Sequence, residues 1–232
     1  MQQLPLGVRL RDTARFSSFV AGPNAEIVEL LRIAPGTAPR VLWLWGPAGS
    51  GKTHLLQAAC ALAGERSGTA TYLDLAAGAD PAWLDGCDAL DFVGLDNLES
   101  VAADAAWNRA LFRLHALLQE AGGRLCVATT LPPARLRLEL PDLGSRLRAA
   151  SVHQMRDLSE TEQVEVLRRR AGQRGLELSA EAALYLLHRL PRDMHSLCSV
   201  LDTLDDASLA AQRRLTVPFL REVLEAQGPG VA

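Results

Sequence analysis

The hydrophobic pattern of the chain predicts a series of short buried strands between residues 40 and 130. Short runs that are almost continuously apolar are typical of strands buried on both faces of a parallel sheet. The third of these runs includes Asp96, so we expect this strand to end in a carboxylate. The four runs cover residues 40–45, 69–75, 90–100 and 124–130.

Apolar residues at helical spacing predict helices between these strands. The segment from His54 onward is amphipathic and ends at Gly64, which is typical of a helix terminus. A second stripe recurs at i, i+3, i+4, i+7 and i+11, with Arg109 and Arg113 turned outward. We expect this stripe to pack on the sheet; its members are Trp107, Ala110, Leu111, Leu114 and Leu118.

The carboxyl-terminal third of the chain predicts helices only. Ser159 and Glu162 form the Ser-x-x-Glu pattern of a capping box, which marks the start of the first of them. The predicted helices cover residues 159–173, 179–190, 193–204 and 217–226. The whole pattern predicts an α/β fold. A P-loop parallel-sheet (αβα) domain is expected over residues 11–155 and a small helical lid domain over residues 156–232. Residues 1–10 form a separate segment.

Composition narrows the class of protein. The chain has 232 residues, of which 48% are hydrophobic and 22% charged, as is usual for a globular protein. A net charge of −3 gives no reason to expect sequence-independent binding of nucleic acid. The four cysteines, at positions 60, 87, 126 and 198, form no C-x-x-C pair, so no zinc or redox motif is indicated. With neither a signal peptide nor a membrane-spanning run, we expect a cytoplasmic protein without a membrane partner.

A phosphate-binding motif lies between the first predicted strand and helix. Residues 46–53 fit G-x-x-x-x-G-K-[ST] and contain Lys52, the only lysine of the chain. Backbone N–H groups of such a loop bind phosphate oxygens, the lysine reaches the β- and γ-phosphates, and the Thr53 hydroxyl holds Mg²⁺. The expected nucleotide-binding residues are Gly46, Pro47, Ala48, Gly49, Ser50, Gly51, Lys52 and Thr53; His54 follows them, and for it we expect a mainly structural role at the helix start.

Two further strand ends carry candidate site residues. Asp96 closes the third strand and is the expected second group at Mg²⁺. The strand at 69–75 lies between the two motifs, which is typical of the AAA+ branch of P-loop proteins. AAA+ proteins place a polar sensor of the γ-phosphate where Thr129 and Thr130 end the fourth strand. Two threonines that merely close a strand are the other interpretation, and the sequence leaves both open.

Segments on both sides of these motifs resemble the DnaA initiator family. The stretch "PDLGSRLRA" resembles the box that carries the arginine finger of that family, which implies that Arg146 acts on ATP held by a partner. The stretch "DTARFSSFVAGPNAEIVELL" resembles the segment that lies beside the adenine. The sequence ends after the lid, without the helix-turn-helix domain by which DnaA binds its origin, and so resembles the Hda family of DnaA regulatory inactivators.

The first residues add a partner to this resemblance. "QLPLGVRL" is similar to the segment that inserts into the hydrophobic pocket of the sliding clamp, with Gln3, Leu4 and Leu6 as anchors. Without the family context, a frayed terminus is the other interpretation. The resemblance implies two partners, DnaA and the sliding clamp, which is the beta subunit of DNA polymerase III. Contact with DNA is then expected only indirectly, through the clamp. The oligomeric state stays open, a homo-oligomer included.

Two departures from the family pattern affect the chemistry. Asn97 stands where hydrolysing AAA+ enzymes have Asp or Glu, and an amide cannot act as a general base at neutral pH. In the lid, His195 stands at the position of the sensor arginine; Arg192, one turn earlier, is a substitute, and a histidine with no nucleotide role is the other interpretation.

The expected function follows from these motifs and the resemblance. We expect the chain to bind ADP or ATP with Mg²⁺ and to have weak or absent ATPase activity of its own. Its expected role is to promote hydrolysis of DnaA-bound ATP, which prevents re-initiation of replication. The alternative is a helicase-loader-like AAA+ ATPase that acts on DNA.

Overall fold

The computed structural model describes the chain as two compact units. The first includes Asn24–Pro47 and Gly51–Arg156, and the second includes Ser18–Pro23, Ala48–Ser50 and Asp157–Ala232. The residues described are 14–33, 36, 39–76, 78–190, 197, 200, 201, 203–205, 207, 208 and 215–226.

The first unit is built on a five-stranded parallel sheet. The strands lie in the order β2-β3-β4-β1-β5, so β1 pairs with β4 on one side and β5 on the other. Because the strands are parallel, the carboxyl ends of β1, β3 and β4 lie along one edge of the sheet. The strands are β1 (Val41–Trp45), β2 (Ala70–Asp74), β3 (Phe92–Asp96), β4 (Arg124–Thr129) and β5 (Ser151–Gln154).

In the described part of the chain, four α-helices accompany this sheet. The apolar stripe predicted for the third helix is confirmed, since all of its members are buried, while Arg109 and Arg113 are exposed. Asp104 caps the start of this helix, since its side chain accepts hydrogen bonds from backbone N–H groups of the first turn. The four helices are α1 (Ala25–Arg32), α2 (Lys52–Glu65), α3 (Ala105–Ala121) and α4 (Pro141–Arg148).

The end of the third strand agrees with the sequence prediction, whereas the edge of the sheet does not. Strand β3 ends at Asp96, as expected, because Asn97 takes a left-handed backbone conformation (φ 56°) and a 3₁₀ turn, Leu98–Val101, follows. Strand β5 was not predicted. It has four residues that alternate between half-buried and exposed at the edge of the sheet, so it lacks the apolar run that marks the other strands.

The helical unit has its own hydrophobic core. The predicted capping box is confirmed: the Ser159 hydroxyl and the Glu162 carboxylate each bond the other residue's backbone N–H. Leu167, Ala171 and Leu186 are fully buried in this core. Described residues between 197 and 208 are helical, within and just beyond the third predicted lid helix. The other helices are α5 (Glu160–Gln173), α6 (Ala180–Arg189) and α7 (Val217–Ala226).

The cysteines that the structure describes are buried. Cys60 and Cys126 are buried free thiols, and so is Cys87, while Cys198 lies outside the described residues. Of the helices in the described part of the chain, none is both long enough and apolar enough to cross a bilayer.

A buried asparagine fastens the start of α1 to the end of the sheet domain. Asn24 is 2% exposed, and its side-chain amide bonds both the backbone C=O and the backbone N–H of Arg156, at 2.9 and 2.8 Å. Asn24→Ala removes both bonds and leaves the two backbone groups without these partners. We expect it to lower the free energy of unfolding by about 1–3 kcal/mol in urea denaturation. Glu120→Ala, on the exposed side of α3, is the control, and an equal change in both variants would contradict this role.

Candidate functional site

The loop between β1 and α2 has the backbone that its motif requires. Gly49 and Gly51 both have left-handed backbone angles, φ 77° and φ 94°, which other residues adopt only under strain. Turns of this kind direct successive N–H groups toward one anion. Gly46 begins the loop and donates its own N–H to the Thr129 carbonyl at 3.2 Å, which ties the loop to the end of β4. Among the other loop residues, Pro47 and Ala48 are exposed, whereas Ser50 is half-buried.

Lys52 is held inside this loop. The side chain is 7% exposed, and its ammonium donates to the carbonyl oxygens of Gly46 and Pro47, at 2.7 and 2.8 Å. Burial lowers the pKa of Lys52, and the charges of Asp96 and Glu99 act in the opposite direction. A compact ammonium can bond two neighbouring carbonyls in so small a space, which a planar guanidinium cannot do equally well. This geometry explains a lysine here in a chain whose other basic residues, histidine aside, are arginines.

Thr53 and Asp96, which the sequence assigned to Mg²⁺, lie in direct contact. The Thr53 hydroxyl donates to Asp96 Oδ2 at 2.5 Å. The same carboxylate accepts the Tyr72 hydroxyl at 3.1 Å and the Asn97 N–H at 3.0 Å. Burial raises the pKa of Asp96, and these hydrogen bonds counter that rise because they stabilise the ionised form. A hydroxyl oxygen and a carboxylate are therefore adjacent at the edge of the sheet.

Asn97 makes a contact that the sequence analysis did not predict. Its side-chain amide donates to Asp74 Oδ1 at 2.7 Å, so it is bound by a carboxylate from the end of β2. Asp74 is paired with Asp96 in the register of β2 and β3. The available signal was that both of these strands end in aspartate, which places two carboxylates at the same edge.

The two threonines at the end of β4 have different surroundings. Thr129 is 1% exposed; its hydroxyl accepts the indole N–H of Trp43 at 2.8 Å and donates to the Leu131 carbonyl at 2.6 Å. This side chain is part of the packing of the sheet. Thr130 is exposed and donates both its N–H and its hydroxyl to Glu99 Oε1, at 2.8 and 2.5 Å. Of the two, only Thr130 has a polar contact typical of a strand-end site.

Glu99 is a site residue that the sequence analysis missed. It lies on the 3₁₀ turn after Asn97, and one of its carboxylate oxygens, Oε2, is buried without a hydrogen-bond partner in the described structure. The signal in the sequence was an acidic residue three positions after Asp96. Only the fold brings it to Thr130, which is 31 residues away.

The remaining predicted site residues either contact other parts of the chain or lie outside the described residues. His54 is half-buried in the first turn of α2 and donates a ring N–H to the Arg15 carbonyl at 2.9 Å, which suits the structural role expected of it. The predicted lid residues Arg192 and His195 lie outside the described residues. The predicted clamp anchors Gln3, Leu4 and Leu6 also lie outside them.

Arg146 is exposed on α4, where its guanidinium lies over an aromatic ring. The guanidinium carbon is 4.2 Å from the centroid of the Phe112 ring on α3. This is the geometry of a cation–π contact, which at an exposed site is worth about 0.5–1 kcal/mol. His115, one turn further along α3, is buried; burial lowers its pKa, and the positive charge of Arg146 lowers it further.

Comparison with known proteins identifies the fold. Domain III of DnaA from Thermotoga maritima is similar with a TM-score of 0.81 and 18% identity, covering 94% of this chain and 98% of that one. AMPPCP-bound DnaA from Aquifex aeolicus has a TM-score of 0.67 and 20% identity, with 81% and 64% covered. The RuvB branch migration motor of T. maritima has a TM-score of 0.65 and 15% identity, with 87% and 66% covered.

The helical unit adds a more specific likeness. The family model described as "Hda, lid domain" matches residues 160–224. At the identities found, the similar structures show the fold alone, which is an α/β AAA+ domain followed by a helical lid. The lid match and this fold together identify the chain as an Hda-like, DnaA-related AAA+ protein.

Proposed function

We propose that the chain is a nucleotide-holding regulator that docks on the DNA-loaded sliding clamp and promotes hydrolysis of ATP bound to DnaA. The observation that carries this proposal is the combination of a lid of the Hda type with a core of the DnaA type. Conversion of the initiator to its ADP form then prevents a second initiation of chromosome replication.

The donor set around the loop fits an adenine nucleotide with Mg²⁺. The glycine-rich turn offers N–H groups and Lys52 offers a buried cation, which together suit phosphate oxygens. Thr53 and Asp96 offer neighbouring oxygens of the hard type that Mg²⁺ takes. A similar structure, the DnaA of Aquifex aeolicus, is described with AMPPCP bound, which supports a nucleotide at this loop.

The residues around Asn97 support holding a nucleotide more than turning it over. The Asn97 amide has no basic lone pair at neutral pH, and its contact with Asp74 fixes its orientation. The buried ammonium of Lys52 suits the negative charge of phosphate groups. We therefore expect the isolated chain to hydrolyse ATP slowly or not at all.

Arg146 supplies the chemistry toward the partner. As negative charge grows on the γ-phosphoryl oxygens of ATP held by DnaA, a guanidinium from a neighbouring subunit stabilises it. Arg146 suits this role because it is exposed on a short helix and its planar guanidinium matches phosphate oxygens. Docking through Gln3, Leu4 and Leu6 raises the effective concentration of this side chain near DNA-bound DnaA.

Clamp docking is tested by changing the anchors and leaving the rest of the chain intact. We expect Gln3→Ala with Leu4→Ala to abolish binding to the clamp and to leave nucleotide binding unchanged. The measurement is conversion of radiolabelled ATP on DnaA to ADP, with clamp loaded on DNA and the chain added. Gln2→Ala is the matched control, because Gln2 precedes the Gln-Leu-x-Leu pattern.

The same assay decides between the two candidate functions. Full conversion by the double variant would contradict docking through these residues. No conversion by the wild-type chain would reject the proposed function and favour the helicase-loader-like ATPase, which predicts turnover of free ATP on the order of once per second or strong stimulation by DNA alone.

A further inference from the structure

The hydroxyl of Tyr72 is hydrogen-bonded to Asp96 from a neighbouring strand. Tyr72 is 8% exposed on β2, and its partner in the register of β2 and β3 is Gly94. Because side chains alternate between the two faces of a strand, Asp96 is the next residue of β3 on the same face as Gly94. The Tyr72 hydroxyl reaches it and donates to Asp96 Oδ2 at 3.1 Å. A side chain outside the sequence motifs thus contacts a carboxylate that the sequence assigned to Mg²⁺.

A second hydrogen bond fixes the Tyr72 hydroxyl. Gln57, 6% exposed on α2, is hydrogen-bonded to it through its side chain. Burial raises the pKa of Tyr72, as do the negative charges of Asp96 and Asp74, whereas the bond with Gln57 lowers it. A bond that lowers this pKa stabilises the ionised oxygen, so Gln57 is the donor. The hydroxyl therefore keeps its proton and directs it at Asp96.

The Asp96 carboxylate is held by three donors from different parts of the first unit. Its Oδ2 accepts the hydroxyls of Thr53 and Tyr72, and its Oδ1 accepts the backbone N–H of Asn97. Thr53 is itself assigned to the ion, and Asn97 is the next residue along the chain. Of the three, Tyr72 alone is neither, so its contact is free to orient the carboxylate. Hydrogen bonds of this kind hold metal-binding carboxylates in position.

We propose that Tyr72 is a positioning residue for Mg²⁺, whose hydroxyl orients the Asp96 carboxylate toward the ion that accompanies the bound nucleotide. The inference rests on the proposed function, in which the loop holds a nucleotide with Mg²⁺. Loss of a partner behind a metal ligand typically weakens metal affinity about 10- to 100-fold. Nucleotide affinity without the metal depends instead on the loop N–H groups and Lys52. The two affinities should therefore respond differently to loss of the hydroxyl.

The test is a pair of titrations of the full chain with fluorescent ADP, one in EDTA and one in excess Mg²⁺. In wild type we expect Mg²⁺ to tighten ADP binding. Tyr72→Phe keeps the ring and removes the hydroxyl. We expect it to reduce the gain in affinity from Mg²⁺ about tenfold, while ADP affinity in EDTA changes by less than about twofold.

The chain offers a matched control in its other tyrosine. Tyr185 is on α6, in the helical unit, and Tyr185→Phe removes the same hydroxyl from a different core. We expect it to leave both affinities unchanged. Asp96→Asn is the positive control, because it removes the charge of the carboxylate itself, and it should reduce the gain from Mg²⁺ at least as much as Tyr72→Phe does.

The outcomes separate this inference from the proposed function. An equal gain from Mg²⁺ in Tyr72→Phe and wild type would overturn the role of Tyr72. An equal loss of affinity in EDTA and in Mg²⁺ would overturn it too, because it would indicate a general disturbance of the site. So would a wild-type chain that binds ADP equally well in both. Failure to promote hydrolysis by DnaA would reject only the proposed function, since these titrations contain no DnaA. Absence of ADP binding would reject both.

Discussion

Arg146→Ala is expected to abolish conversion of DnaA-bound ATP to ADP while the variant still binds nucleotide and the clamp. An arginine finger accelerates phosphoryl transfer about 10³- to 10⁵-fold, because its guanidinium meets charge that develops only in the transition state. Loss of the side chain should therefore return the rate to that of DnaA alone. The measurement is the rate of ADP formation on radiolabelled DnaA with loaded clamp present.

A neighbouring arginine provides the matched control for this variant. Arg148 is exposed on the same helix, so Arg148→Ala removes an equal charge two residues away. We expect it to retain most of the activity. Arg146→Lys should remain strongly impaired, because an ammonium lacks the planar donor geometry of the guanidinium. Equal activity of Arg146→Ala and wild type would exclude Arg146 as the finger.

Lys52→Ala is expected to weaken binding of adenine nucleotide about 10²-fold. The substitution removes charge-assisted hydrogen bonds to phosphate, each worth about 1.5–3 kcal/mol, and every 1.4 kcal/mol is a factor of ten in affinity. It also leaves the carboxylates of Asp96 and Glu99 without the cation that offsets them. A titration with fluorescent ADP measures the effect.

Lys52→Arg distinguishes the charge from the shape of this side chain. The ammonium bonds the carbonyls of Gly46 and Pro47 within one turn of the loop, and a guanidinium would displace that turn. We expect Lys52→Arg to lose at least a factor of ten in affinity although its charge is unchanged. Arg109→Ala, on the outward side of α3, should bind as wild type does. Wild-type affinity in Lys52→Ala would refute the assignment of the loop to phosphate.

Sequence patterns predicted the parts of the fold that are locally determined. Four strands were visible as buried apolar runs, and α5 could be located by the capping box at Ser159 and Glu162. The edge strand β5 was missed, because only one face of a short edge strand needs apolar residues. The end of the third strand was predicted at Asp96, and the backbone turns directly after it, at Asn97.

The candidate site was only partly predictable for a related reason. The loop residues and Asp96 belong to motifs with fixed spacing, so their positions follow from the chain itself. Contacts between distant residues depend on the order of strands in the sheet. Asp74 meets Asn97 across 23 residues, and Glu99 meets Thr130 across 31. Position 97 holds an amide where a carboxylate was expected. No local pattern could have shown that the carboxylates of Asp74 and Glu99 lie near it.

The single lysine also gives this site a chemical signature of its own. Lys52 carries the only side-chain amine of the chain, so acylating reagents that label lysine side chains have one such target. Burial lowers the pKa of this amine, which enlarges its neutral, nucleophilic fraction at a given pH, while 7% exposure restricts access to small reagents. A phosphate bound to the ammonium would block the reaction. Covalent labelling of this one amine, followed by mass spectrometry, therefore reports occupancy of the loop without any change to the sequence.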